Sequence, residues 1–325
     1  MGVINQRENA LRVLTGSADP EWVPFVGDCF HIVVPNMVRE RPVRGADGED
    51  WFGCKWVWDA DCMGFAPNVR RPPLCADITR WREFVEFPDL DIYDWKAAGE
   101  QDLEGFDREG KLLRVIMESG PFERTQIILG FENAFLAMYE EPAEFKALIG
   151  AVTDFKIRLL GKICNYYKPD EIMLQDDLGT ASGPQISLDM YREFIKPAHK
   201  KLGEAMRAND VFYTHHSCGK MDVFIGDLIE VGVRMVNPVQ PMNDYDVIAG
   251  KYAGSICFEV GPESKANYPG STEDEIRQEV RQVVDTFGPY KNLMLVCFPS
   301  NAECMHNYDI AIDEIRSYGA GFYSK

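Results

Sequence analysis

No run of apolar residues in this 325-residue chain approaches the ~20 that a helix needs to cross a bilayer, so a membrane protein is not expected. The opening stretch MGVINQRENALRVL is polar and amphipathic and lacks the apolar centre of a secretion signal, which points to the cytoplasm. Cationic charge is scarce: 34 Lys and Arg stand against 52 Asp and Glu, for a net charge of −18. Affinity for a phosphate backbone comes mainly from cations that displace counterions, so this balance disfavours nucleic acid as a partner. Histidine is rare, at five. The nine cysteines are odd in number and scattered, which fits reduced thiols better than a disulfide framework. No low-complexity tract, short repeat or Pro/Gly/Ser linker divides the chain, so one domain over residues 1–325 is expected.

What the chain does contain is apolar residue in quantity, 46% of the total with 12% aromatic, enough to bury a large core. From about residue 110 onward, short apolar runs alternate with long helical patterns. LLRVIM (112–117), EIMLQDD (171–177), VFYTHHS (211–217), RMVNPVQ (234–240), SICFEVG (255–261) and NLMLVCFPS (292–300) read as strands. Helical patterns lie between most of them, over 142–167, 188–207, 222–231 and 272–287, with another at 309–318. Strands without strict polar alternation suit a parallel sheet covered on both faces. With a first strand over 22–34 and one or two more in the N-terminal third, the count approaches eight. The expected fold is α/β, a (β/α)8 TIM barrel, with residues about 45–110 as an N-terminal hairpin and helical elaboration at its mouth. The aromatic stretch DWFGCKWVWDADCMGF (50–65) reads as a small capping sheet or a lid, with Trp56 a candidate for stacking on a substrate ring.

The notable polar residues fall at the C-terminal ends of these strands: Asp176 and Asp177, His215, His216 and Cys218, Asn237 and Gln240, Glu259, then Cys297 and Ser300. In a parallel barrel those ends form one rim, where active sites sit. His216 and Cys218 are two apart, so from extended backbone both point the same way and can reach one ion. Cys297 on a late strand is the best third ligand, with Cys304 a rival and Glu259 a fourth ligand or a supporting group. One His and two Cys with an open position describe a catalytic zinc. Asp176, Asp177, His216 and Glu259 are the candidate acid–base groups. Adjacent strand residues face opposite sides, so one of the two aspartates is expected to point inward. Glu132 and Asn133, which open a helical pattern, are candidate substrate contacts with His215, Asn237 and Gln240.

With those residues in view, the chain resembles the uroporphyrinogen decarboxylase superfamily, which includes the cobalamin-dependent methyltransferases. The resemblance runs through INQRENALRVLTGSADPEWVPF, GPFERTQIILGFENAFLAMYEEPAEF, MLQDDLGTASGPQISLDMYREFIKPAHKKL, HHSCGKMDVFIGDLIEVGVRMVNPVQP and the late NYDIAIDEI helix. The decarboxylases' Arg-Gln-Ala-Gly-Arg-Tyr signature is absent; the corresponding region reads GDCFHIVVPNMVRERP, so a polycarboxylate is expected to meet few cations. The methyltransferase branch binds zinc through a His-x-Cys pair and a later Cys. His216 and Cys218 match the pair and Cys297 roughly matches the later ligand, although aligning CFPSN with the branch's Pro-Gly-Cys leaves Asn301 where the Cys belongs.

The resemblance implies transfer of a methyl group between a small molecule, such as a methoxylated donor, and the cobalt of a corrinoid. Demethylation of a donor is preferred to methylation of a thiol. No Asp-x-His-x-x-Gly cobalamin signature occurs in the chain, so the cobalamin is expected on a partner, a separate corrinoid protein. The resemblance also implies a homodimer. Two other readings stand beside it: a cofactor-free decarboxylase of a small carboxylate other than uroporphyrinogen, and a non-catalytic small-molecule-binding barrel.

Overall fold

The computed structural model describes residues 4–324; the first three residues of the polar opening stretch lie outside it. Ten strands form, in chain order β1 (Phe30–Val33), β2 (Gly48–Glu49), β3 (Lys55–Asp59), β4 (Gly64–Pro67), β5 (Leu112–Met117), β6 (Glu171–Gln175), β7 (Phe212–His216), β8 (Met235–Asn237), β9 (Cys257–Val260) and β10 (Leu293–Leu295). Seven make one sheet in the order β1-β5-β6-β7-β8-β9-β10, and all of its pairings are parallel. The sheet curls until Leu295 of β10 meets Phe25 in a single parallel bridge, where the Leu295 N–H donates to the Pro24 carbonyl at 2.8 Å. That bridge takes the eighth place of the expected barrel. The run expected as a first strand over 22–34 is interrupted by the helical turn Val26–Cys29 and resumes as β1. The turn lets Val26 and Cys29, three apart, join the same interior cluster; in a strand they would face opposite sides.

Two apolar cores follow from this geometry. The larger lies between the sheet and its outer helices, above all the helix Pro142–Tyr167, whose Phe145, Leu148, Val152, Phe155, Leu159 and Ile163 are buried at helical spacing. The smaller fills the barrel, where Phe30, Leu112, Met235, Cys257 and Met294 pack together. Ala10, Val13 and Leu14 of the N-terminal helix Gln6–Thr15 belong to this second core, so the helix plugs one end of the barrel. Across the barrel lies a charged layer. Arg114 is wholly buried, pairs with Glu171 (2.7 Å) and Glu259, and has its guanidinium 4.2 Å from the centre of the Phe30 ring.

Strands β2, β3 and β4 form a separate antiparallel sheet, the small capping sheet that the aromatic stretch suggested. Trp56 is 2% exposed, its indole N–H donates to Asp50 (2.9 Å) and its ring meets Phe65 edge-on. A fully buried ionic cluster ties this segment to the barrel helices. Arg124 bonds both Asp50 and Glu40 at 2.5 Å, and Lys156 bonds Glu40 at 2.6 Å. Two cations and two anions balance, which is the condition for burying charge.

Candidate functional site

Register aligns Gln175, His216 and Asn237 at the C-terminal ends of β6, β7 and β8. The Asn237 amide reads the state of its neighbours. Its Nδ2 faces Glu259, which is paired with Arg114 and accepts hydrogen bonds, so Oδ1 faces His216 Nδ1 at 2.6 Å. An amide oxygen only accepts, so Nδ1 of His216 carries the proton and Nε2 has a free lone pair. That lone pair looks toward two other donors: Nε2 lies 3.7 Å from Cys218 Sγ and 3.9 Å from Asp177 Oδ1. The three ligand atoms lie within 4.8 Å of one another, the one such cluster of His, Cys, Asp or Glu among the described residues.

The backbone around them leaves little freedom. The Cys218 N–H donates to Asp177 Oδ1 at 2.8 Å, the Leu178 N–H to Ser217 Oγ at 2.8 Å, and the Lys220 N–H to the Thr180 carbonyl at 2.8 Å. The loops after β6 and β7 therefore cross in contact. A Cβ on Gly219, where φ is +82°, would come within 2.5 Å of the Gly179 carbonyl carbon, so only glycine fits the crossing. Cys218 is exposed at the rim, yet the protein packed around its thiol and the nearby carboxylates of Asp177, Glu263 and Glu123 push its pKa up. A thiolate there needs a cation.

Two cavities meet at His216 and Asn237. A recess of about 190 Å³ runs past Cys218, Glu263, Cys297 and Tyr308. A wide mouth of about 1290 Å³ opens on the other side beneath the capping sheet, where Trp58 and Phe65 line it, and Phe298 borders both. Four arginines, 39, 41, 44 and 114, line the mouth, more cation than the sequence suggested. Arg114 is neutralised by Glu171 and Glu259, and Arg41 by Glu118 and Glu123, which leaves Arg39 and Arg44 without an acidic partner among the described residues.

Of the residues expected at the rim, the structure brings together Asp177, His216, Cys218 and Asn237. Cys297 lines the same recess, but β10 ends at Leu295, which leaves Cys297 in the following loop and outside the three-atom cluster. Burial pushes its thiol up to about 12, and Glu263 and Glu279 add to the shift. Cys304 is buried in the outer core. Glu259 lies in the charged layer, committed to Arg114 and Asn237. The two aspartates do face opposite ways. Asp176 is wholly buried, accepting from the N–H groups of Phe122 (3.1 Å) and Glu123 (2.7 Å) at the start of the helix Pro121–Leu129 and lying 2.8 Å from His199 Nε2. His215 turns outward against His199, and burial holds its pKa far below the usual value. Gln240 joins the Gly219 N–H (2.5 Å) to Glu263 (2.6 Å). Glu132 and Asn133 line neither cavity, and Trp56 packs within the cap.

Sequence reasoning missed Arg114, Glu171, Gln175 and Glu263. An arginine inside LLRVIM was a legible signal, because a charge in an apolar strand requires a buried partner. Glu263, just past the end of β9, carried none.

The fold and site define a parallel α/β barrel whose polar groups gather where its strands end. The sequence matches the family description Uroporphyrinogen decarboxylase (URO-D) over residues 115–292, just over half its length, and the chain belongs to that family. A curated relative, the methylated-thiol--coenzyme M methyltransferase of Methanosarcina mazei, is 28% identical over 185 residues, covering 56% of this chain and 47% of the relative. The chain thus spans about half the length of the curated relative it matches. A solved methyltransferase from Methanosarcina mazei shares the fold, with a TM-score of 0.71 over 97% of this chain and 99% of that one at 13% identity.

Proposed function

We propose that the chain moves a methyl group between a small molecule in the recess and the cobalt of a corrinoid carried by a separate protein, with zinc at Asp177, His216 and Cys218. The observation that carries this reading is the convergence of three ligand atoms at the junction of a small recess and a wide mouth. Carboxylate, imidazole and thiolate make a three-ligand set with room for a fourth, exchangeable group. This set replaces the His216–Cys218–Cys297 set expected from sequence.

Bound there, zinc would hold a thiolate or polarise a leaving atom. The chain's own residues do the positioning. Asn237 fixes the His216 tautomer, Glu259 and Arg114 fix Asn237, and Gln240 holds the Gly219 turn beside Cys218. Trp58 and Phe65 wall the mouth from which a corrin ring would approach, and Arg39 and Arg44 could donate to the amide oxygens at its edge. The preferred direction is removal of methyl from a donor. The relative named for methylated thiols supports methyl transfer. The nine free cysteines support a reducing compartment, the cytoplasm.

The test is metal analysis combined with methyl transfer to cob(I)alamin. Expected are about one zinc per chain, lost on Asp177→Asn and on His216→Ala but kept on Cys297→Ser, and turnover that requires cobalt. Release of carbon dioxide from a small carboxylate without cobalt would instead support the decarboxylase reading.

A further inference from the structure

We infer that the 190 Å³ recess takes a small methylated cation, a quaternary ammonium or a sulfonium, with Glu263 as its counter-charge and Phe298 and Tyr308 as its aromatic walls. The role of that cation as methyl donor rests on the methyl-transfer reading; its charge and size rest on the recess alone.

Size comes first. An enclosed cavity of ~150 Å³ accommodates one benzene ring, so a ligand held within the 190 Å³ recess is of that order, and anything larger would extend into the mouth it adjoins. Charge comes second. No Lys or Arg lines the recess, and Glu263 is its carboxylate. Glu263 is half-buried, and burial holds its carboxyl pKa above the usual value against the opposing hydrogen bond from Gln240. Among the described residues it makes no ion pair, so a cation beside it would favour its charged form. Its side chain takes one hydrogen bond, from Gln240 Nε2 at 2.6 Å. A metal at the neighbouring cluster would not balance it, because a 2+ ion there is already neutralised by the Cys218 thiolate and the Asp177 carboxylate. An anionic ligand that does not reach the metal position would meet Glu263 with no Lys or Arg in the recess lining to offset the repulsion.

The walls agree with the charge. Phe298 is 51% exposed and borders both cavities, while Tyr308 borders the recess from a packed position, 2% exposed, with its oxygen turned to Asn267 and to the N–H groups of Ser300 and Asn301. Aromatic faces beside a carboxylate are the usual surroundings of a methylated cation. The chemistry suits the site as well. When methyl leaves such a donor for cobalt(I), the C–S or C–N bond breaks with its electron pair remaining on sulfur or nitrogen. Cobalt supplies the pair for the new bond and rises to cobalt(III). The product is neutral and no proton is needed, which matters because Asp176 and Glu259 are both committed elsewhere. A thioether product, having lost its charge, also loses its attraction to Glu263 and leaves; an amine product takes up a proton in water and is released more slowly.

Isothermal titration of the purified protein, without corrinoid, decides the matter using tetramethylammonium and trimethylsulfonium against neutral tert-butanol and anionic methanesulfonate. Expected is binding of the two cations ahead of both controls, weakened about tenfold by Glu263→Gln and severalfold by Phe298→Ala, with zinc content unchanged. Equal or tighter binding of methanesulfonate, no binding of either cation, or indifference to Glu263→Gln would overturn the inference. Loss of zinc on Glu263→Gln would also overturn it, by making Glu263 a metal ligand. Cation binding without methyl transfer to cob(I)alamin would uphold the recess and reject the transfer reading.

Discussion

Asn237 has one orientation open to it, since a carboxylate on one side can only accept and the imidazole on the other must then donate. In the proposed site it is a positioning residue, acting on the metal through His216. Groups that orient a ligating histidine are commonly worth 10–100-fold in metal affinity, so Asn237→Ala should weaken zinc by about that factor while His216 and Cys218 remain. Competition against a chromophoric chelator measures it, and unchanged affinity would remove Asn237 from the site. The two aspartates separate in the same experiment. Asp177→Asn should release zinc, with little loss of stability when both proteins are compared metal-free. Asp176→Asn should do the reverse, because an amide turned toward two backbone N–H groups and His199 cannot accept from all three. At ~1.5–3 kcal/mol for each hydrogen bond to a charged group, a loss of about 3 kcal/mol should appear in urea unfolding.

Elements are joined by charge as well as by apolar packing. Glu40 neutralises both Arg124 and Lys156, and through them fixes the segment that carries the capping sheet to the helices Pro121–Leu129 and Pro142–Tyr167. Glu40→Ala leaves two buried cations facing Asp50 alone, a loss of about 3–5 kcal/mol. Limited proteolysis should then cut first within residues 45–70. The helix Glu273–Phe287 gives a pH test. Glu275 closes a capping box with Thr272, whose N–H and hydroxyl, aided by Lys265, hold its pKa at about 2. A folded-state pKa below the unfolded 4.5 contributes stability that is complete above 4.5 and is lost as pH falls through 2. Amide protection in the first turn, taken relative to the intrinsic exchange rate at each pH, should fall over that interval, and in Glu275→Gln it should not change. These elements also show what the sequence makes legible. The apolar runs of β5 and β6, the helix Pro142–Tyr167 and the aromatic cap follow from local pattern. The break at Val26–Cys29 does not, because ring closure against Leu295 imposes it. That His216 and Cys218 face the same way was legible from two-residue spacing. Glu259 was misjudged because spacing gives a side chain's face but not its depth, and Arg114 sets the depth.

At the scale of the whole molecule, the features that hold the fold and those proposed to act are separate. The outer core, the plugged barrel and the Arg114 layer lie below or outside the strand ends, whereas Asp177 and Cys218 belong to neither apolar core. The metal should therefore stabilise the protein without being needed to fold it. Its three ligands come from the ends of two adjacent strands and lie close together only in the folded chain. An ion that binds the folded state alone adds RT ln(1 + [L]/Kd), about 2.7 kcal/mol at a free concentration one hundred times Kd. For a chain of this length, that amounts to a rise of a few °C in the unfolding midpoint. Calorimetry with and without zinc, after treatment with a chelator, should show that shift, and the far-UV dichroism of the stripped protein should remain that of a folded α/β barrel. Collapse of the dichroism on stripping would mean that the cluster is a structural staple, and the site of methyl transfer would then have to be sought elsewhere along the mouth. A shift of the midpoint that disappears in Asp177→Asn but survives in Cys297→Ser would tie the stabilisation to the same three atoms on which the proposed chemistry depends.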